Sequence, residues 1–324
     1  MLTKYVYPKC ANSFRNWCLT NKKYEKFYFE LGEPTPFDVT LRDGLQAVTK
    51  DKETEFNANT KLKIYHNIIF NYKPLNIEVG SIVSEKVLPI FKDSIEIFNF
   101  INNFKKQCLQ NGDPYEEQNK YLLVPNNKYL KKIINDSNAN HFSFITSVSN
   151  SFQMKNTKMT LEESDKDIET MLYELDNNSN RKVAPVVKLY VSCINSCPIE
   201  GKIDSDVIIN RILKFNTMKI DNICLSDTCG SLLLEDFEYI IDTCKHFGLV
   251  PIHKISLHLH VKPGRENDVE NIIYSALDRN IIDFDVSSLD SGGCSVTMEK
   301  HNIAENLSYE LYYKSLCNYI MKNT

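Results

Sequence analysis

The run Thr40-Leu41-Arg42-Asp43-Gly44-Leu45-Gln46 sets a guanidinium beside a carboxylate at the end of an apolar stretch, Phe37 to Leu41, with a glycine directly after. A carboxylate there can ligate a divalent cation, and its neighbouring arginine can face the negative charge that grows on a bound carbonyl. That is a plan for enolate chemistry. Far downstream, Ile255-Ser256-Leu257-His258-Leu259-His260 alternates apolar and polar residues with the period of a strand, so His258 and His260 are expected on one face. Two imidazoles at that spacing can chelate one ion, and they need a carboxylate from elsewhere to complete a nitrogen and oxygen set. Asp43 is the candidate.

These residues need a scaffold that brings distant strand ends together. Short apolar runs predict strands over Phe37 to Leu41, Leu75 to Val79, Tyr121 to Val124, His141 to Ile145, Val186 to Val191, Asn222 to Leu225, Ile255 to His260 and Phe284 to Ser287. Helical stripes lie between them: Leu62, Tyr65, Ile68 and Ile69 form one, and Ile95, Phe98, Ile101 and Phe104 another. Thr160-Leu161-Glu162-Glu163 is a capping-box start for a helix running through Ile168, Met171, Leu172 and Leu175. Further helices are expected over Asp206 to Phe215, Leu233 to Phe247, Glu266 to Arg279 and Ala304 to Met321. Repeated alternation of strand and helix predicts an α/β chain folded as a (β/α)8 TIM barrel over residues 37–324, one domain preceded by an N-terminal extension over residues 1–36. A doubly wound sheet would bring a glycine-rich phosphate turn after the first strand, and this sequence has none there. In a barrel the chemistry sits at the C-terminal ends of strands, which is where Asp43, Glu78, Asp227, His258 and His260 fall.

The 324 residues carry a formal net charge of -4. This gives no general attraction to nucleic acid or an anionic membrane, so the expected partner is a small molecule. No run approaches the roughly 18 apolar residues of a membrane span, and the N-terminus lacks a secretory core. A cytoplasmic location is expected. Residues 1–24 hold Lys4, Lys9, Arg15, Lys22 and Lys23 before the first acid, Glu25, which is the charge bias of a mitochondrial-type transit peptide and the alternative reading. Ten irregularly spaced cysteines predict thiols rather than a disulfide framework. Cys193 and Cys197 have no second pair at zinc-finger spacing and read as packing residues. Only 10 glycines occur, where about 23 would follow from average usage. Those that remain, Gly44, Gly80, Gly230, Gly292 and Gly293 among them, follow predicted strands, where tight turns and close approach are needed.

Taken together these segments resemble the 3-hydroxy-3-methylglutaryl-CoA lyase family, within the barrel metal-dependent lyases and Claisen-type synthases that share an Arg-Asp motif on strand one. The likeness runs from about Phe37 to Leu316. It rests on Arg42-Asp43-Gly44-Leu45-Gln46, on Ile77-Glu78 with Ser81 to Ser84 and Lys86, on Tyr190 to Cys193 with Cys197-Pro198 and Glu200-Gly201-Lys202, on Leu225 to Thr228 with Gly230, and on the histidine pair. The resemblance implies that Asp43, His258, His260 and Asn306 bind a divalent cation, Mg2+ or Mn2+ with Zn2+ as an alternative. It implies that Arg42 stabilises the enolate, that Glu78 and Asp227 position groups around metal and substrate, and that Cys294 takes part in proton transfer. The implied reaction cleaves a 3-hydroxyacyl-CoA to acetyl-CoA and a keto acid; a homodimer is compatible with it. A condensing synthase of the same group, acting on hydroxy or keto acids, and a barrel retained only for acyl-CoA or metal binding are the alternatives. The chain departs from the family pattern at Leu289 to Gly293 before Cys294 with Ser295-Val296 after it, at Val261 to Gly264 after His260, in a longer spacing from Cys294 to Asn306, and in a shortened C-terminus that stops soon after the eighth helix.

Overall fold

The computed structural model describes residues 7–48, 52–111, 118–134, 138–178, 183–246, 248, 250–293, 296–298 and 303–324. Its strands are β1 (Phe37–Asp38), β2 (Asn76–Ser81), β3 (Asn119–Leu123), β4 (His141–Ser147), β5 (Val186–Ser192), β6 (Ser196–Cys197), β7 (Gly201–Lys202), β8 (Asn222–Ser226), β9 (Ile255–His258), β10 (His260–Val261), β11 (Asp285–Val286) and β12 (Glu305–Asn306). Its helices are α1 (Ala11–Cys18), α2 (Lys22–Glu30), α3 (Ala58–Asn71), α4 (Ser94–Asn111), α5 (Asn127–Ile133), α6 (Asn150–Thr157), α7 (Leu161–Asp176), α8 (Ser205–Asn216), α9 (Leu234–His246), α10 (Glu266–Asp278) and α11 (Tyr309–Asn323).

Eight parallel strands pair in the order β11-β1-β2-β3-β4-β5-β8-β9. Leu257 of β9 bridges Phe284 beside β11, so the sheet is a nearly closed barrel, as the alternation of strand and helix predicts. Strand parity sorts the side chains. Ile77, Val79, Val187, Leu189, Val191, Ile223, Leu225, Ile255, Leu257 and Val286 lie in the main core with the helices. Their alternate neighbours Glu78, Lys188, Tyr190, Cys224, His258 and Asp285 therefore face the barrel axis, and all six are buried. α7 begins where its capping box places it: Thr160 accepts from the Glu163 amide, and the Glu163 carboxylate accepts from the Thr160 amide.

Three boundaries differ from expectation. The first strand ends at Asp38 rather than Leu41, because the Asp38 carboxylate captures both the amide and the hydroxyl of Thr40 at 3.0 Å and turns the chain into a five-residue π-type turn, Thr40–Gly44. The Gly44 amide closes that turn onto the Val39 carbonyl at 3.1 Å. A side chain at Gly44 would meet Ser287 Oγ at 2.9 Å, so glycine lets the turn press against the end of β11. Second, His258 and His260 do not share one strand. β9 stops at His258, and His260 begins β10, which pairs antiparallel with β12. Third, the last helix starts at Tyr309, capped by Ser308, and not at Ala304, since Glu305–Asn306 is consumed in β12.

The N-terminal segment packs against the last helix. Phe14 and Cys18 are wholly buried in the same core as Tyr313 and Leu316, and the Phe14 ring lies 5.5 Å from that of Tyr313. Phe27 meets Tyr319 edge-on at 5.6 Å. No helix of the described residues is long and apolar enough to cross a membrane. The eight described cysteines are free thiols, Cys193 and Cys197 among them.

Candidate metal centre and enolate site

Asp43, on the π-type turn after β1, is met from across the barrel by the two histidines. His258 Nε2 stands 3.7 Å and His260 Nε2 3.6 Å from Asp43 Oδ2, and all three side chains are buried. The predicted triad therefore assembles from residues more than two hundred positions apart in sequence, although a break in the strand at Leu259 was not foreseen. The two imidazoles still converge, with ring centroids 4.8 Å apart.

Each ring is aimed by its second nitrogen. His258 Nδ1 lies 3.0 Å from Asp285 Oδ2, and His260 Nδ1 lies 2.9 Å from the Asp227 carbonyl oxygen. A carbonyl can only accept, so His260 Nδ1 carries a hydrogen, and in the uncharged form of the ring the lone pair is on Nε2, turned to the Asp43 carboxylate. That Nε2 has no hydrogen-bond partner among the described residues. A lone pair and an anionic oxygen facing each other in a buried site fit a cation between them. The donor atoms of Asp43, His258 and His260 lie within 4.8 Å of one another, and this group can bind a metal.

Asn306 has a place in the same arrangement. It is the antiparallel partner of His260, and paired residues project to the same face of a two-stranded ribbon. Its Nδ2 donates to the Ser291 carbonyl at 3.1 Å, leaving Oδ1 buried with no partner among the described residues. Gly292 lies against this amide, close enough that any Cβ there would fall inside contact distance of all three of its outer atoms. Gly292→Ala is therefore expected to push the Asn306 amide out of position and weaken divalent-metal binding by about tenfold, with some loss of metal-free melting temperature from the crowding. Calorimetric titration of native and variant protein with Mn2+ checks this.

Arg42 is held by two carboxylates. Its Nε donates to Glu78 and its Nη1 to Asp43, and its guanidinium lies 4.8 Å from the centroid of the Tyr190 ring. Burial alone would ease its proton off, but Glu78 and Asp43 push its pKa well above the usual value, so a permanent cation faces the cavity. Burial likewise favours a neutral Asp43, yet Arg42 and the His258 imidazole hold its carboxyl well below the ordinary range. His258 is lifted to about 9, against the effect of burial, by hydrogen bonds to Asp285 and Asp43. Arg42, Asp43, Tyr190, His258, His260 and Gly293 line one pocket together with Phe152 and Asn156 of α6.

Glu78 thus sits where expected. The Asp227 carboxylate does not face the site: it accepts the amides of Ser231 and Leu232, both at 3.0 Å, so that its main chain is what steadies His260. Cys294 lies outside the described residues. Three contributors were given no role at the site from sequence. The Gly293 amide donates to Asp43 Oδ2 at 2.8 Å. Lys188 is ion-paired with Asp285 beneath His258. The available signal was a lysine interrupting the apolar run Val186-Val187-Lys188-Leu189 and an aspartate within Phe284 to Ser287, since a charge in a barrel strand needs a partner.

No protein-family model matches the chain. Over 258 residues, 79% of its length, it is 24% identical to the mitochondrial hydroxymethylglutaryl-CoA lyase of Arabidopsis thaliana, and it spans about half the length of that relative, 49%. A solved hydroxymethylglutaryl-CoA lyase from Pseudomonas aeruginosa superposes with a TM-score of 0.72 at 21% identity, covering 89% of this chain and 86% of the other. A solved HMG-CoA lyase from Acinetobacter baumannii, in complex with coenzyme A and 3-methylmalate, superposes with a TM-score of 0.67 at 22% identity, over 89% and 84% of the two chains. In sequence the chain is similar, as a divergent relative, to hydroxymethylglutaryl-CoA lyases, and in fold it is similar to their barrels.

Proposed function

We propose that this protein is a divalent-metal-dependent carbon-carbon lyase that cleaves a 3-hydroxyacyl-CoA to acetyl-CoA and a keto acid. The observation that carries this reading is the convergence of His258 Nε2 and His260 Nε2 on Asp43 Oδ2 directly beside the Arg42 cation. Asp43, His258, His260 and Oδ1 of Asn306 would hold the ion, Mg2+ or Mn2+, which when bound would polarise the substrate's hydroxyl and carbonyl oxygens. Arg42, locked by Glu78, faces the thioester oxygen on which negative charge gathers as the bond between the two carbons breaks. Because Arg42 is held before substrate arrives, little reorganisation opposes the transition state. The hydroxyl proton leaves as its carbon becomes the keto carbon, and a proton is returned to the enolate carbon to give acetyl-CoA; we assign that return to Cys294, which follows Gly293, the donor to Asp43, in sequence. The barrel bound to coenzyme A in the Acinetobacter structure supports an acyl-CoA rather than a free acid as substrate.

The test is direct. Purified protein supplied with Mg2+ or Mn2+ and a panel of 3-hydroxy-3-alkylglutaryl thioesters is expected to release acetyl-CoA and the matching keto acid, and chelation by EDTA is expected to stop the reaction. Failure to cleave any member of the panel with metal demonstrably bound would overturn the lyase reading. Incubation with acetyl-CoA and 2-oxo acids separates it from a condensing synthase.

A further inference from the structure

The mechanism above uses His258 but not the two charged groups beneath it. Lys188 of β5 and Asp285 of β11 are 97 residues apart and both buried inside the barrel. Lys188 Nζ donates to Asp285 Oδ1 and lies 3.5 Å from the centroid of the Phe37 ring and 5.0 Å from that of Tyr190. Asp285 Oδ2 takes His258 Nδ1 at 3.0 Å and a long contact from the Cys224 thiol at 3.8 Å. Each oxygen of Asp285 is thus committed, one to a cation from below and one to an imidazole above. Three residues on three strands form a continuous column, Lys188 to Asp285 to His258, that ends at the Nε2 facing Asp43.

We infer that Lys188 and Asp285 are positioning residues for the proposed metal centre: Lys188 clamps Asp285, and Asp285 fixes the rotation and tautomer of His258 so that its Nε2 lone pair is delivered to the ion. This rests on the metal-dependent reading. The physical case is that an imidazole on a strand end can turn about its terminal bond, and a carboxylate acceptor on Nδ1 both stops that turn and raises the donor strength of the opposite nitrogen. Asp285 has no such freedom, since the lysine holds its other oxygen. A neutral amide at Asp285 would keep the size and lose the charge, and it could present its NH2 group to the ring and favour the wrong tautomer.

Binding of Co2+ is the test, because its visible absorption reports ligand geometry independently of turnover. Asp285→Asn is expected to weaken Co2+ binding by about 10- to 100-fold and to change the shape of the visible spectrum. Lys188→Met leaves a buried carboxylate unpaired and is expected to lower the melting temperature. The double variant Lys188→Met with Asp285→Asn removes both charges; it is expected to regain melting temperature while retaining the weak affinity and altered spectrum of Asp285→Asn. A purely structural role would restore metal binding along with stability. Native affinity and spectrum in the double variant would overturn the inference while leaving the metal centre standing. Failure of the native protein to bind Co2+ would overturn both.

Discussion

Asp43→Asn is expected to abolish tight metal binding and to lower the proposed turnover by about three orders of magnitude, the rate equivalent of about 4 kcal/mol. The substitution keeps the shape of the side chain, and its amide oxygen can still accept the Gly293 amide that now bonds Oδ2 at 2.8 Å. What disappears is the anionic oxygen on which both histidine nitrogens converge. The buried Arg42 retains Glu78 as its counter-ion, so the metal-free protein is expected to fold. Loss of metal binding in a chain that still folds, with a lowered melting temperature because the buried pair of Arg42 with Asp43 is broken, is the expected result, measured by Mn2+ titration and thermal denaturation. Native affinity in Asp43→Asn would remove this carboxylate from the ligand set and with it the proposed centre.

The second large effect is a pair of opposed pH dependences governed by His258. In the metal-free protein its pKa is raised from 6.5 to about 9. A basic group whose pKa is raised on folding stabilises the folded state fully below the unfolded value and loses that contribution as pH climbs through the folded value. Metal-free protein should thus lose stability between pH 6.5 and about 9, by roughly 3 kcal/mol for a group this buried. Asp285, lowered from 3.8 to about 2 despite its burial by Lys188 and His258, sets the acid side: its contribution is present above 3.8 and lost as pH falls towards 2. Metal binding runs the other way. The proton on His258 must leave before the nitrogen can serve as a ligand, so affinity should rise up to about tenfold per pH unit until about pH 9. Chelator competition at pH 7 and pH 8, beside thermal melts with and without Mn2+, separates the two trends. Equal affinity at both pH values would remove His258 from the ligand set.

Local patterns carried the elements and most of the candidate site. Thr160 and Glu163 specify the start of α7 through two reciprocal hydrogen bonds within four residues, so no tertiary context is needed to read them. The alternation in Val186 to Val191 and in Asn222 to Leu225 marks which residues face the helices, because one register alone buries the apolar set. Arg42, Asp43, Glu78, His258 and His260 were legible for a related reason: polar chemistry at strand ends breaks the apolar pattern that surrounds it. The barrel itself followed from the order of these elements.

Only the folded chain decided how the groups are aimed. Asp38 ends β1 early because Thr40 and Tyr309, the latter 271 residues away, both reach its carboxylate. Leu259 interrupts the seventh strand because its carbonyl accepts the Leu307 amide at 3.0 Å, drawing in β12 and with it Asn306. Lys188 and Asp285 acquire meaning only as a pair across the barrel axis, and the Asp227 carboxylate is diverted to its own loop. Hydrophobic periodicity is a property of neighbours in sequence, whereas hydrogen-bond direction and charge pairing depend on which distant strands meet. By itself, then, the sequence of this protein determined the barrel and the residue types at its mouth. The tertiary structure decided which nitrogen faces which oxygen, because that is settled by contacts between segments that only closure of the barrel brings together.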